Sequence, residues 1–125
     1  MARVKPAPST ASSSSGDGGL TVEENSGGAL STTDLDKLLR KTGAGSSTYT
    51  LPIVTVANAG SRIRIQKEGA GTVTVTPPAG VKIGDGANAQ SVRNSTSETY
   101  VFIEFTVLTA TQWGLGPVVG TWAHI

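Results

Sequence analysis

His124 is the only histidine in the 125-residue chain and stands next to its last residue, and there is no cysteine. A Ser-His-Asp triad or a histidine-based metal site would hang on a chain end that frays. Thiolate nucleophiles, disulfides, thiolate metal sites and iron–sulfur clusters are excluded outright. Gly84-Asp-Gly-Ala-Asn-Ala89 has the outline of a dinucleotide fingerprint. The next residues, Gln90-Ser-Val-Arg93, lead into a strand instead of a helix whose N-terminus could hold phosphate, so the segment reads as a turn. Glu98 and Glu104 could be a carboxylate pair, yet six extended residues separate them by about 20 Å. Arg62, Arg64, Lys67 and Arg93 could share an exposed sheet face, but no aromatic residue is interleaved with them, as a nucleic-acid surface would require. Asn94-Ser-Thr96 matches a glycosylation sequon by pattern only. Trp113, with the turn around Asp85, could meet a sugar ring; the other reading of Trp113 and Trp122 is that they anchor a core or an interface. The expectation is a protein without catalytic residues, cofactor or metal, hence not an enzyme.

The charge balance agrees with that expectation. Ten Lys and Arg stand against nine Asp and Glu, a net charge of +1, which supplies no general drive toward nucleic acid or an anionic membrane. No run approaches eighteen apolar residues, and Met1-Ala-Arg-Val-Lys-Pro6 contains no apolar signal core, so neither a membrane span nor a secretion signal is expected.

Every aromatic and every isoleucine lies at position 49 or beyond. Residues 1–30 are mostly Ser, Gly, Pro, Ala and Thr, too polar to offset the roughly 1–2 kcal/mol of backbone entropy lost per ordered residue. They are expected to form an extended or disordered arm, either inert or ordered along a partner, with Arg3, Val4, Lys5, Leu20 and Val22 as anchors. From Leu30 to Gly43 the residues obey helix rules: Ser31 as N-cap, Asp34 in the capping-box position, and Arg40 and Lys41 at the C-terminal end. A short helix with a Gly/Ser linker is predicted over 31–46. Its stripe of Leu35, Leu38 and Leu39 would dock on the β domain or on another protein.

From residue 47 the period becomes two. Thr48 to Leu51, Ser61 to Gln66 and Thr72 to Thr76 read as half-buried antiparallel strands, with Ile63 and Ile65 inward and Arg62, Arg64 and Gln66 outward. Lys67-Glu-Gly-Ala-Gly71 suits a hairpin. The predicted class is all-β, a small antiparallel sandwich or barrel of jelly-roll type over 47–125. Thr99 to Leu108 differs: Val101, Ile103, Phe105 and Val107 fill one face, while Tyr100 and Phe102 make the other apolar too. A domain of this size buries only about 60% of its unfolded surface, so the second face calls for cover, by the helix or arm or by another subunit. Glu104 shares that face and would need a partner such as Arg93 from the same or a neighbouring subunit. Tyr100, Phe102, Glu104 and Arg93 are thus the candidate subunit interface.

The run Ser47-Thr-Tyr-Thr-Leu-Pro52, Asn58-Ala-Gly-Ser-Arg-Ile-Arg-Ile65, Gly71-Thr-Val-Thr-Val-Thr-Pro77 and Val81-Lys-Ile-Gly-Asp-Gly86 resembles a β module of tailed-bacteriophage virion proteins. Thr111-Gln-Trp-Gly114 and Gly120-Thr-Trp122 fit its closing hairpin. Residues 47 to 122 carry the likeness; residues 1–46 lie outside it. The module occurs in capsid decoration (cement) proteins, head fibres and tail fibres. A short arm joined to one such module is closest to a decoration protein. The resemblance implies a homo-oligomer, a trimer by preference, made in the host cytoplasm and bound to the major capsid protein on the outer capsid surface. The other implied role is a tail-fibre, head-fibre or adsorption protein that binds host glycan. No nucleic-acid or membrane partner is implied.

Overall fold

The computed structural model describes residues 19–125. Among these described residues, eleven strands, with two single 3-10 turns at Thr32–Asp34 and Val56–Asn58, build two sheets. One sheet has the order β1 (Thr21–Glu24), β3 (Lys37–Lys41), β5 (Arg62–Lys67), β9 (Val101–Thr109), β10 (Gln112–Val119) and β7 (Lys82–Ile83). The other has the order β11 (Ala123–His124), β8 (Val92–Asn94), β6 (Val73–Thr76), β4 (Ser47–Thr50) and β2 (Gly28–Ala29). The chain is all-β, and a single core cluster takes side chains from both sheets. Ile63, Ile65, Ile103, Phe105 and Trp113 come from the first; Tyr49, Val73, Val75 and Val92 come from the second.

The first six strands alternate between the sheets, so the chain winds through three superposed turns. β1, β3 and β5 are mutually parallel, as are β2, β4 and β6. The wholly antiparallel arrangement expected from the sequence is therefore corrected to a mixed one. Parallel neighbours need a crossover between them, and here the strand in the opposite sheet supplies it. Antiparallel pairing begins where β8 adds to β6 and β9 adds to β5. The expected hairpin over 67–71 is likewise a corner, in which the chain leaves one sheet at Lys67 and enters the other at Val73.

Lys37 pairs with Ile63 and Ser47 with Val73, the same 26-residue offset that separates Ser46 from Thr72. At this offset Lys41-Thr-Gly-Ala-Gly-Ser-Ser-Thr-Tyr-Thr-Leu-Pro52 lies over Lys67-Glu-Gly-Ala-Gly-Thr-Val-Thr-Val-Thr-Pro-Pro78, identical at seven of twelve positions. This repeat is the signal that would have revealed the coil. It has a steric cause at the corners. A Cβ on Gly69 would stand 2.2 Å from the Gly43 carbonyl oxygen, and one on Gly71 2.3 Å from that of Gly45.

The helix predicted within 31–46 is also corrected. Ser31 and Asp34 do form the capping box, with the Ser31 N–H donating to Asp34 Oδ2 at 2.9 Å, but the helix ends after one 3-10 turn. Leu35 is extended, and Asp36 takes φ +62°, a left-handed conformation that aspartate tolerates when its side chain is bonded locally. Here its Oδ1 accepts the Arg62 N–H at 3.1 Å. Lys37–Lys41 then runs as a strand between β1 and β5. About ten helical residues are marginal in water, whereas a central strand satisfies its backbone on both edges. Leu39 faces the core, Leu38 is buried on the opposite face, and Leu35 packs at the core's margin. Leu39 and Leu35 thus belong to the core and Leu38 to the opposite face of the sheet, instead of forming a helical docking stripe. Leu20 and Leu30 are buried as well, so the β assembly starts well before residue 47.

Candidate functional site

Alternation along β5 and β9 places Arg62, Arg64, Phe102 and Glu104 on the outer face of the larger sheet. Arg64 pairs with Glu104 across the ladder. The Arg64 guanidinium lies 3.0 Å from Glu104 Oε1 and 4.5 Å above the Phe102 ring, while Arg62 approaches Glu104 Oε2 at 3.8 Å. Glu104 lies flat over Gly116, where a Cβ would come within 3.0 Å of its carboxylate, and is only 4% exposed. Arg93 is not its partner in this chain: it lies on β8 of the other sheet and donates to Thr74 Oγ1 at 3.2 Å. The correction has a simple origin, because Arg64 is the direct cross-strand neighbour and Arg93 is separated from Glu104 by the core. Of the expected interface residues, Tyr100 is 69% exposed and Phe102 is half-buried beneath Arg64.

Four polar or charged residues are buried among the described residues: Lys41, Lys67, Asn94 and Glu104. Lys41 and Lys67 hold matching places in successive turns, each at the end of its strand. Lys41 donates to the Gly43 carbonyl of its own corner. Lys67, wholly buried, donates to Asn94 Oδ1 at 2.7 Å and to the Thr96 carbonyl at 2.6 Å. Burial pulls the Lys67 ammonium below the ordinary lysine range, with Glu98 opposing this and Lys41 reinforcing it. Asn94 Nδ2 donates to Glu98 Oε1 at 2.9 Å. Glu98 also accepts the Thr121 N–H at 2.8 Å, the Thr121 hydroxyl at 3.2 Å and the Thr96 hydroxyl at 2.8 Å. Those donors, the Thr121 N–H first, hold its carboxyl down at about 2. In the sequence Asn94 stands out only as part of a sequon and Glu98 only as half of a carboxylate pair too far apart to act, and neither lysine carries a sign of burial. Only the repeat marks Lys41 and Lys67 as equivalent.

A groove of about 460 Å³ lies at the end of the smaller sheet, lined by Leu30, Thr50, Leu51, Pro52, Ile53 and Pro78 among others. Ile53, 81% exposed, stands at its rim, and Val56, 73% exposed, comes three residues later. Pro52 and Pro78, at equivalent positions of the repeat, both line it, and neither can donate to a further ladder. Trp113 is fully buried in the core, so it offers no face to a sugar; this corrects the glycan-contact expectation for it. Asp85 is exposed in the turn after β7. His124 is tied by Nε2 to the Ile83 carbonyl at 2.9 Å and packs on Gly86. Among the arm anchors, Leu20 is wholly buried and Val22 is half-exposed on edge strand β1. Arg3, Val4 and Lys5 lie outside the described residues. Among the described residues no group of histidine, cysteine and carboxylates could hold a metal ion, and no helix is long and apolar enough to cross a membrane. Comparison with protein-family models and with curated proteins returns no match.

Proposed function

We propose that this chain is a non-enzymatic bacteriophage capsid decoration protein that binds the major capsid protein on the outer head shell as a homotrimer. The observation that carries the reading is the apolar groove at the end of the smaller sheet, with Ile53 exposed among its lining residues and Val56 exposed three residues further along the chain. Exposed apolar side chains around a concave apolar floor are the chemistry of a protein contact. The resemblance of residues 47 to 122 to the phage virion module supplies the setting. Many weak contacts on one shell would sum to a binding free energy that opposes outward pressure.

The test is co-sedimentation with expanded, undecorated capsids and, in parallel, with host cells. Saturable binding to shells is expected, with affinity falling at least about tenfold in an Ile53→Asp, Val56→Asp double variant, since two apolar anchors each contribute about 1 kcal/mol or more. Deleting residues 1–18 leaves every described core residue in place, so it tests the arm separately and should also weaken shell binding. Binding to cells alone would overturn the reading and move the protein to a tail or fibre.

A further inference from the structure

We propose that Lys67 and Asn94 form an intramolecular amide cross-link, with Glu98 as the proton carrier. Lys67 ends β5 in one sheet and Asn94 ends β8 in the other, so the bond would join the two sheets covalently. Both side chains are wholly buried. Nζ stands 2.7 Å from Oδ1, so the amine is already held against the carboxamide whose carbon it would attack, and holding reacting groups together in this way removes much of the entropic barrier. The Thr96 carbonyl fixes the amine from a second direction at 2.6 Å.

The nucleophile, the developing oxyanion and the leaving nitrogen each have a residue in place. The nucleophile must be a neutral amine, and burial favours that form of Lys67. Negative charge develops on Oδ1 during attack, where the Thr96 N–H donates at 3.3 Å. The leaving nitrogen Nδ2 already donates to Glu98 Oε1, a carboxylate held ionised by Thr121 and Thr96. The Nζ–Cγ bond forms and the Cγ–Nδ2 bond breaks. One proton passes from Nζ by way of Glu98 to Nδ2, which leaves as ammonia. The amine and carboxamide become a secondary amide and ammonia, with no change of oxidation state and no co-reactant. Exclusion of water from the buried pair keeps hydrolysis from competing.

Lys41 supplies an internal comparison. It occupies the same place one turn earlier and is just as enclosed, but its ammonium meets the backbone carbonyl of Gly43 instead of a side-chain amide. It plugs a corner and has nothing to react with. The cross-link would close a loop whose ends lie 27 residues apart, in a chain with no cysteine to do so by other means.

The test is the intact mass of the purified full-length protein, tracked during incubation after folding, with tryptic mapping. The expected product is lighter than the sequence by one ammonia and yields a branched peptide that joins positions 67 and 94. Lys67→Met should retain the full mass. If that variant fails to fold, Glu98→Gln serves instead: it leaves both reacting residues and most hydrogen bonds, and should slow ammonia loss by about a hundredfold or more. Full mass in the folded wild-type protein after prolonged incubation overturns the proposal. So does ammonia loss that maps to an asparagine not joined to Lys67, which is succinimide formation. Unchanged kinetics in Glu98→Gln overturns the role of Glu98.

Discussion

Trp113 lies wholly inside the core, and its indole Nε1 is the only buried side-chain nitrogen or oxygen among the described residues without a hydrogen-bond partner. An unsatisfied buried donor is destabilising, so removing it offsets part of the packing lost with the larger ring. Trp113→Phe is therefore expected to destabilise the fold by less than about 1.5 kcal/mol, against about 3–5 kcal/mol for Trp113→Ala, as read from urea denaturation. A second residue-scale expectation concerns Arg40, whose Nε and Nη2 reach the two Glu68 oxygens at 2.8 and 2.9 Å. The Arg40 hydrogen bonds hold the Glu68 carboxyl below its ordinary range. A carboxylate depressed in the folded state adds stability that is complete above its unfolded pKa and is lost as the pH falls through the folded one. The gap in denaturation midpoint between wild type and Arg40→Ala should thus be larger at neutral pH than in acid below the carboxylate range. A gap that stays constant with pH would show that the ion pair contributes nothing.

At the scale of elements, the corners decide the coil. Gly69 and Gly71 press on the backbone of Gly43 and Ala44 and on that of Ala44 and Gly45, while a Cβ on Gly43 or Gly45 would meet nothing within 4 Å. The same Gly-Ala-Gly motif is therefore under contact constraint in one turn and free in the other. Gly69→Ala should destabilise by at least about 2 kcal/mol or prevent folding, because a backbone oxygen cannot yield as a side chain can. Gly43→Ala should lie within about 0.5 kcal/mol of wild type. Thermal melts of the two variants, side by side, separate a corner-stacking requirement from a general intolerance of the motif.

For the whole molecule, the outer face of the larger sheet is partly closed by its own residues. The expected need of Glu104 for a partner is met within the chain by Arg64 and Arg62. Tyr100 and Val119, which lies opposite Phe102 in the ladder, remain well exposed. If this patch holds the proposed trimer together, Tyr100→Ser with Val119→Ser should convert it to a monomer without loss of folded structure. Sedimentation equilibrium reads this directly, and a variant that stays trimeric would move the interface elsewhere.

Inward faces were legible in the sequence wherever residues alternate: Ile63 and Ile65, Val73 and Val75, and Val101, Ile103, Phe105 and Val107 are all buried as their period requires. The capping box at Ser31 was legible too, because it is made of bonds only three residues apart. Local chemistry reports which side of a strand is apolar and where the chain turns. It does not report the neighbour with which a strand pairs. Leu38-Leu39 fits a helix or a strand equally well, and the choice fell to β1 and β5, which offer backbone partners on both edges. Lys67, Asn94 and Glu98 were unremarkable one at a time. Tertiary structure alone brought Lys67 to the local turn that holds Asn94 and Glu98, because the end of a strand in one sheet meets the end of a strand in the other only after the chain has coiled.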